Sequence, residues 1–391
     1  MTFALSITRN DNLTMFSNLK IGIIGGGQLG AMLIKYAIDF GLDVAVLDAD
    51  PNAPCARYSS SFKLGNSLNY DDVVKFGKEL DILTIEKEAV DVNALRYLRD
   101  KGVKVYPSPE TIEIIQDKYL QKTHLRSFNI PVVTGWLVTD RKDLEQHVEK
   151  FPGILKKCTQ GYDGKGVLKI QTVEEIKDVF EGPYVLEELV DIKKEISVIV
   201  SRNDSGLIEC YDPVHMVFDK ERMLLDFQIC PADITEDQAI KVCAIAKQVA
   251  EAVDLVGIMA VEMFIATNGR IFVNELAPRP HNSGHHTIEA ATTSQFEQQL
   301  RVILGLPMGS TKTTTPSVMM NIIEPVAHRK QAIMEALKTI LCTSDVHLHW
   351  YGKKEGFEGR KMGHITVTDV VREEAISKSI MIKHLLKEGH E

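Results

Sequence analysis

No apolar run among the 391 residues approaches the roughly 20 residues a helix needs to cross a bilayer. The opening stretch MTFALSITRNDNLTMFSN also lacks a secretory pattern, because Thr8, Arg9 and Asn10 interrupt its short apolar segment. Six cysteines are scattered, with no CxxC pair and no Cys/His cluster. That spacing reads as reduced thiols in a cytoplasmic protein and not as a disulfide or zinc framework. Positive charge is in deficit: the formal net charge is -9. Such a balance argues against a nucleic-acid or anionic-membrane partner, although a local basic pocket for phosphates stays open. Internal repeats and low-complexity tracts are missing too. What remains is a chain of ordinary globular composition, too long for one core and long enough for two or three domains.

The periodicity divides the chain. KIGIIGG (20–26) reads as a buried strand, 29–41 as a helix, and VAVLDAD (44–50) as a second strand. DILTIE (81–86), a helix over 91–101 and KVYP (104–107) continue the alternation. Residues 20–110 therefore predict an open, doubly wound parallel α/β domain. Residues 1–18 fit no element and read as a disordered extension, with Met15 as an alternative start. TIEIIQDKYLQKTHLRSF (111–128) predicts one helix, and Pro131 opens a new segment. Strands follow at 153–157, 167–170, 184–188 and 195–201, with a helix over 172–180. Short strands alternate between 207 and 230. A long helix covers 235–252, a hairpin 257–277, and a smaller α/β unit 318–391.

The hairpin carries the most chemistry. Asn268-Gly269 is a two-residue turn signal, because both residues tolerate positive φ. Pairing outward from that turn sets 266 against 271 and Glu262 against Glu275. Their Cβ atoms are expected about 4.5–5.5 Å apart, where like charges repel. Ala260, Phe264, Val273 and Ala277, expected on the same face, bring no positive charge. A hard cation with oxygen ligands offsets the repulsion, and magnesium shared with phosphate oxygens fits. The apolar flanks VGIMAVEMFIA and RIFVNELA speak against a solvated edge.

Three further segments suit anions. Gly161-Tyr162-Asp163-Gly164-Lys165-Gly166 lies between two strands, where backbone N–H groups can wrap a phosphate and Lys165 adds charge. It is not a Walker A loop, since no GK[ST] follows. Lys156 on the preceding strand could reach the same phosphate. GGGQLG (Gly25 to Gly30) opens a helix and resembles a dinucleotide fingerprint, with Asp48 or Asp50 about 20 residues on. It establishes a phosphate-tolerant turn without naming the ligand. Glu187-Glu188-Leu189-Val190 ends a strand, where backbone could meet an adenine edge and a carboxylate the ribose. A solvated acidic strand end explains it equally well. Near the hairpin, Pro278-Arg279-Pro280-His281-Asn282-Ser283-Gly284-His285-His286 is followed later by Lys353 and by Arg360-Lys361-Met362-Gly363-His364. No HxxxH helix or cysteine partner supports zinc. Arg279, Lys353 and Arg360 read as substrate-anion contacts, His281 as an orienting or proton-exchanging group, and His285 and His286 as structural.

On these strings the chain resembles the ATP-grasp superfamily, and within it the ATP-dependent carboxylases of aminoimidazole ribonucleotide in purine biosynthesis. IGIIGGGQLG, GYDGKG, NELAPRPHNSGHHT and HLHWYGKKEGFEGRKMGHITVTD carry the resemblance, which spans roughly residues 20–370. It implies an ATP-grasp fold behind a Rossmann-like parallel α/β domain, with a small C-terminal α/β domain. The expected boundaries are 1–18, 19–118, 119–310 (119–185 a lid, 186–310 central) and 311–391. It further implies ATP and magnesium as cofactors, bicarbonate and aminoimidazole ribonucleotide as substrates, and a homodimer. Carboxyphosphate would form first and then be captured by the amine.

By matched position, the resemblance assigns ATP phosphates to Lys118, Lys156 and the loop Gly161 to Val167. It assigns the adenine hinge to Glu187, Glu188, Leu189 and Val190, and the ribose to Glu195. Asn274 would lie beside the nucleotide, Glu262 and Glu275 on the metal, and His215 in a nucleotide contact. Gln28 and Leu29 would meet the ribonucleotide phosphate through their backbone. Asp163, Glu86, Arg279, His281, Asn282, Lys353, Arg360 and Lys361 would complete the substrate site, with Asp163, His281, Lys353 and Arg360 catalytic. The chain departs from the pattern at Ala89 and at Ala277, where many relatives carry polar groups. Three rivals remain in view. A formate-using transformylase shares GQLG and the grasp loop, but HWYGK and GRKMGH favour the carboxylase. A nicotinamide oxidoreductase leaves the paired glutamates unexplained. A non-catalytic nucleotide-binding subunit does not account for the full set of expected ATP ligands.

Overall fold

Ile21–Ile24 (β1) is apolar and buried at every position, as a strand covered on both faces must be. It sits at the centre of a five-stranded parallel sheet with Val44–Asp48 (β2), Ser61–Leu64 (β3), Ile82–Ile85 (β4) and Lys104–Tyr106 (β5), in the order β3-β2-β1-β4-β5. The computed structural model describes residues 16, 18–159, 161, 166–175, 182–218, 225–323, 330–354 and 359–388. The doubly wound expectation holds for this unit. Three elements went unread: the 3-10 turn Pro54–Arg57, β3, whose residues are half exposed, and the helix Tyr70–Gly77, whose eight residues show little more than two turns of period. Most of the expected 1–18 extension lies outside the described residues.

The segment read as one helix is two. Pro109–Gln116 ends at Asp117, which is extended (φ -117, ψ 114), and Lys118–Ser127 begins at the next residue. The Asp117 carboxylate accepts from the N–H groups of Tyr119 and Leu120, so it caps the second helix from outside. The apolar period runs through the break and hides it. The break matters because it makes Lys118 the first residue of a new helix.

Gly135–Val138 (β6), Gly153–Lys157 (β7), Val167–Ile170 (β8) and Tyr184–Glu188 (β9) form an antiparallel sheet in the order β6-β9-β7-β8. Of the helix expected over 172–180, only a 3-10 turn at Val173–Glu175 falls among the described residues.

The third sheet is the largest. It contains Ile192–Arg202 (β10), Ile208–Cys210 (β11), Val214–Phe218 (β12), Leu225–Cys230 (β13), Gly257–Ala266 (β14), Ile271–Ala277 (β15), Ser317–Ile323 (β16), Val346–Trp350 (β17) and Lys361–Thr368 (β18). Its path is β15-β14-β10-β12-β13-β16-β18-β17, with β11 on β10. The C-terminal strands thus extend the sheet that carries the hairpin. One face buries Ile196, Val198, Val200, Met259, Val261, Met263 and Ile265 against Val242, Ala246 and Val249 of the helix Glu236–Ala252. Alternation along the strands sends Glu195, Ser197, Glu262 and Phe264 to the opposite face.

The Asp117 cap generates a local prediction. Replacing it with alanine should lower the opening free energy of the helix Lys118–Ser127 by about 1 kcal/mol. Amide exchange within that helix would then accelerate, and Asp117→Asn would lose less. Unchanged exchange in the alanine variant would mean that the cap contributes nothing.

Candidate functional site

Glu262 and Glu275 are direct cross-strand partners, but not by the register read from the turn. The chain reverses through a three-residue loop in which Gly269 takes φ +81, a conformation costly for any residue with a Cβ. Ala266 therefore pairs with Arg270, and Ile265 with Ile271. This displaces the pairing by one residue as far as Met263 and Val273. A bulge at Asn274 then restores it, so that Glu262 meets Glu275 after all. The displacement also puts Phe272, not Val273, opposite Phe264. A bulge re-aims the side chain it inserts. Here Asn274 accepts a hydrogen bond from Lys156 Nζ at 2.7 Å.

Positive charge arrives from another element. Lys118 Nζ, from a helix outside this sheet, lies 2.6 Å from Glu275 Oε1. Burial, then Glu275 and Glu195, push the Glu262 carboxyl up to about 8. Lys118 and Lys361 pull it down, but they do not outweigh what raises it. Glu195 sits on the same face. Burial raises it to about 7, against the pull of Lys156. Two carboxylates, one of them raised well above its ordinary pKa, and an amide oxygen form a hard-oxygen donor set short of positive charge, which suits magnesium. Among the described residues no group of three or more His, Cys, Asp or Glu is placed to cage a metal. The pair therefore fits a cation that brings ligands of its own, as one bound to phosphates does.

Lys156 links this sheet to the smaller one. Besides Asn274, its Nζ lies 2.9 Å from Glu187 Oε2, and Lys122 Nζ lies 2.9 Å from Glu187 Oε1. Both Lys122 and Glu187 are almost fully buried. Burial alone would raise the Glu187 carboxyl, but Lys156 and Lys122 more than offset it and hold it below its ordinary value. The Glu187 side chain is thus committed to two lysines and is not available to a ribose. Glu188 and Leu189 are exposed beyond it, with Val190 half-buried. Of the glycine loop, Tyr162, Asp163, Gly164 and Lys165 lie outside the described residues, while Gly161, Gly166 (φ +80) and Val167 lie within them.

His215 is not brought to this face. It pairs with Ile196, whose side chain is in the opposite core, and its charged surroundings are Lys194, Asp233 and Arg372. Burial, then Lys194, lower its pKa. The one-residue alternation of a strand separates it from Glu195, which pairs with Met216.

The GGGQLG turn is already occupied by the protein's own acids. Gly26 N–H donates to Asp48 at 2.7 Å, and Leu29 N–H to Glu86 at 3.2 Å. A Cβ on Gly27 would come within 2.3 Å of Glu86, so a side chain here would displace that carboxylate from its present position. Burial raises the Glu86 pKa, with Arg279 and the Leu29 N–H opposing. A pyrophosphate placed here as in a dinucleotide fold would face Glu86 and Asp48. The Leu29 amide, expected on a substrate phosphate, is spent on Glu86, and Gln28 begins the helix Gln28–Asp39 beside it.

Arg279 and Glu88 form a two-contact ion pair, Nε to Oε1 at 2.9 Å and Nη2 to Oε2 at 3.1 Å. This ties the hairpin's end to the first domain, so the guanidinium is only partly available to a ligand. His281 points Nε2 at Glu262 Oε1, 3.8 Å away, and its Nδ1 accepts from Ser283 N–H at 3.3 Å. Nδ1 also lies 2.9 Å from the Ser283 hydroxyl; with Nδ1 accepting, the neutral ring would carry its proton on Nε2. Burial, then Arg279 and Lys361, hold this imidazole neutral, well below the ordinary histidine range. Gln295 grips its backbone from both sides, accepting from His281 N–H at 2.9 Å and donating to His281 O at 2.8 Å. Asn282 follows in a short 3-10 turn. Lys353 Nζ donates to Lys361 O at 2.8 Å, and Lys361 is one of the charges acting on both His281 and Glu262. Arg360 immediately precedes β18.

His285 and His286 are buried and hydrogen-bonded, His285 Nδ1 to Gln295 at 3.1 Å and His286 Nδ1 to Ser283 O at 3.1 Å. Three residues escaped the sequence reading. Lys122 was signalled only by its spacing of four from Lys118, and Gln295 and Glu289 by nothing local. Glu289 lies 2.6 Å from His349, whose ring stacks on His364 with centroids 4.4 Å apart.

Three domain families match in succession: a ribonucleotide synthetase preATP-grasp domain over 18–116, an ATP-grasp domain over 123–296, and a phosphoribosylaminoimidazole carboxylase C-terminal domain over 317–378. The chain is 36% identical to N5-carboxyaminoimidazole ribonucleotide synthase of Bacillus subtilis, covering 90% of this chain and 92% of that protein. It is 37% identical to phosphoribosylaminoimidazole carboxylase of Saccharomyces cerevisiae over 89% of this chain, but spans only 63% of that relative's length. Its structure resembles N5-carboxyaminoimidazole synthase from Aspergillus clavatus in complex with ADP and 5-aminoimidazole ribonucleotide, with TM-score 0.88, 32% identity, and 96% and 100% of the two chains covered. The Thermotoga maritima synthetase gives TM-score 0.84 at 39% identity, with 94% and 98% covered.

The raised Glu195 carboxyl predicts a pH dependence in the nucleotide-free chain. Its folded pKa of about 7 exceeds that of an unfolded glutamate. Between the two values the unfolded chain releases a proton that the folded chain keeps, so stability falls as pH rises and levels off above the folded pKa. Glu195→Gln should remove that contribution. Its melting temperature should gain on wild type from pH 5 to 7 and hold a constant lead above pH 8. A constant difference across the whole range would refute the assignment.

Proposed function

The chain belongs to the N5-carboxyaminoimidazole ribonucleotide synthase family of ATP-grasp enzymes, and from that premise we propose that it carboxylates 5-aminoimidazole ribonucleotide with bicarbonate at the expense of ATP, in purine biosynthesis. The observation that carries this reading is the Glu262–Glu275 pair, facing the lysines that bridge to the smaller sheet.

Bicarbonate oxygen attacks the γ-phosphorus of ATP, the bond to the β-phosphate oxygen breaks, and ADP leaves as carboxyphosphate forms. The substrate amine then attacks the carboxyl carbon. A C–N bond forms, the C–O bond to phosphate breaks, and phosphate departs with the electron pair and can accept the amine proton. Lys118 and Lys156 would neutralise the transferring phosphoryl group. Glu195 is the carboxylate available for the ribose, with Glu187 through Val190 offering backbone to the adenine. Glu262 and Glu275 would hold magnesium, with Asn274 beside them; when bound, the ion neutralises phosphate charge and orients the γ-phosphoryl group. The neutral His281, protonated on Nε2, acts as a hydrogen-bond donor rather than a cation. Arg279, Asn282, Lys353, Arg360 and Lys361 complete the ribonucleotide site with Glu86 and Gln28. Asp163 belongs to the loop expected to shelter carboxyphosphate from water.

The boundaries 19–118, 119–310 and 311–391 serve as working divisions, and we read the enzyme as a cytoplasmic homodimer, as the family resemblance implies. The deciding assay is ADP release. It should require both bicarbonate and aminoimidazole ribonucleotide, and formate with glycinamide ribonucleotide should not substitute. Glu275→Gln should reduce turnover at least about 100-fold, as loss of a transition-state charge contact does. Intact ATP hydrolysis in that variant would overturn the metal assignment.

A further inference from the structure

The helix Lys118–Ser127 presents two lysines one turn apart, and each meets a glutamate on a different sheet. Residues spaced by four share a helix face. Lys118 reaches Glu275 on β15, and Lys122 reaches Glu187 on β9. The helix start is tied to the end of β7 as well, through Lys118 N–H to Cys158 O at 2.9 Å.

Glu187 thus holds two lysines on one carboxylate, Lys122 on one oxygen and Lys156 on the other. With Lys122 in place the buried group carries net positive charge, so Lys156 is only half matched and retains attraction for a further anion. Without Lys122, Lys156 and Glu187 would be a closed neutral pair. In a poorly solvated site a phosphate would have to draw Lys156 away from a full counter-charge.

We infer that Lys122 is a positioning residue for ATP: by taking half of the Glu187 carboxylate, it keeps Lys156 available to the nucleotide's phosphates. This rests on the reading that Lys156 contacts those phosphates. Burial lowers the Lys122 pKa to about 8, with Glu187 opposing, so the ammonium is retained near neutral pH.

The test is steady-state kinetics on folded full-length variants, with melting temperatures measured alongside. Lys122→Met should raise the KM for ATP about tenfold, while kcat and the KM for aminoimidazole ribonucleotide change by less than about threefold. Lys122→Arg should restore most of the ATP affinity. Adding Glu187→Gln to Lys122→Met should recover at least half of the loss on a logarithmic scale, because Lys156 is released again. A role in packing alone would lower the melting temperature and leave the KM for ATP untouched, which would overturn the inference. So would a double variant no better than Lys122→Met. Should Lys122→Met fail to fold, Lys122→Arg and the double variant decide, and a tenfold rise in the KM for ATP in either counts against the inference. Lys156→Met separates the two levels. If it leaves the KM for ATP unchanged, the underlying phosphate assignment has failed. If it raises the KM for ATP and Lys122→Met does not, only the role of Lys122 has.

Discussion

Two carboxylates opposite each other on paired strands oppose the fold unless positive charge reaches them, and much of the site is arranged around that debt. Lys118 meets one of them. Glu262 is left with an elevated pKa and a neutral histidine 3.8 Å away. A fully neutralised pair would be more stable and would have no affinity for a cation that arrives with its own phosphate ligands. Stability withheld at this point is what would let a cation bind here.

Charge is apportioned in the same manner one layer out. Glu187 is surrounded by more positive charge than it needs, and Glu262 by less than it needs. The helix Lys118–Ser127 serves both. It can do so because Asp117 interrupts what would otherwise be a longer helix and starts the new one at Lys118. Two sheets that share no strand are thereby linked through lysine–glutamate contacts, and Lys156 adds a second link through Asn274.

The first domain shows how a familiar motif can be turned to another purpose. Glycines at the start of a helix make room for an anion, and in GGGQLG the nearest anion is the chain's own Glu86. Asp48, which a dinucleotide fold would reserve for a ribose, accepts from Gly26. Arg279 and Glu88 then join this domain to the end of the hairpin. The residues proposed for the ribonucleotide are consequently drawn from more than one sheet.

Much was legible from local pattern. Apolar runs located β1, β2 and β4, the long helix Glu236–Ala252 and the hairpin, because burial imposes a period on each. The family strings supplied the chemistry. Other features follow from contacts made across the fold. The glutamate pair was anticipated from a two-residue turn, whereas the chain uses a three-residue loop and a compensating bulge at Asn274. Alternation along a strand fixed that Glu195 and its pairing partner share a face, but only the register of β12 decided that His215 does not join them. Lys122 stands 65 residues from Glu187 by number, and no periodicity links the two. Local spacing determined which residues were chemically able to form a site. Which of them meet, and which are already satisfied by one another, was decided by the packing of separate sheets, since Coulomb and hydrogen-bond energies depend on distance in space and not along the chain.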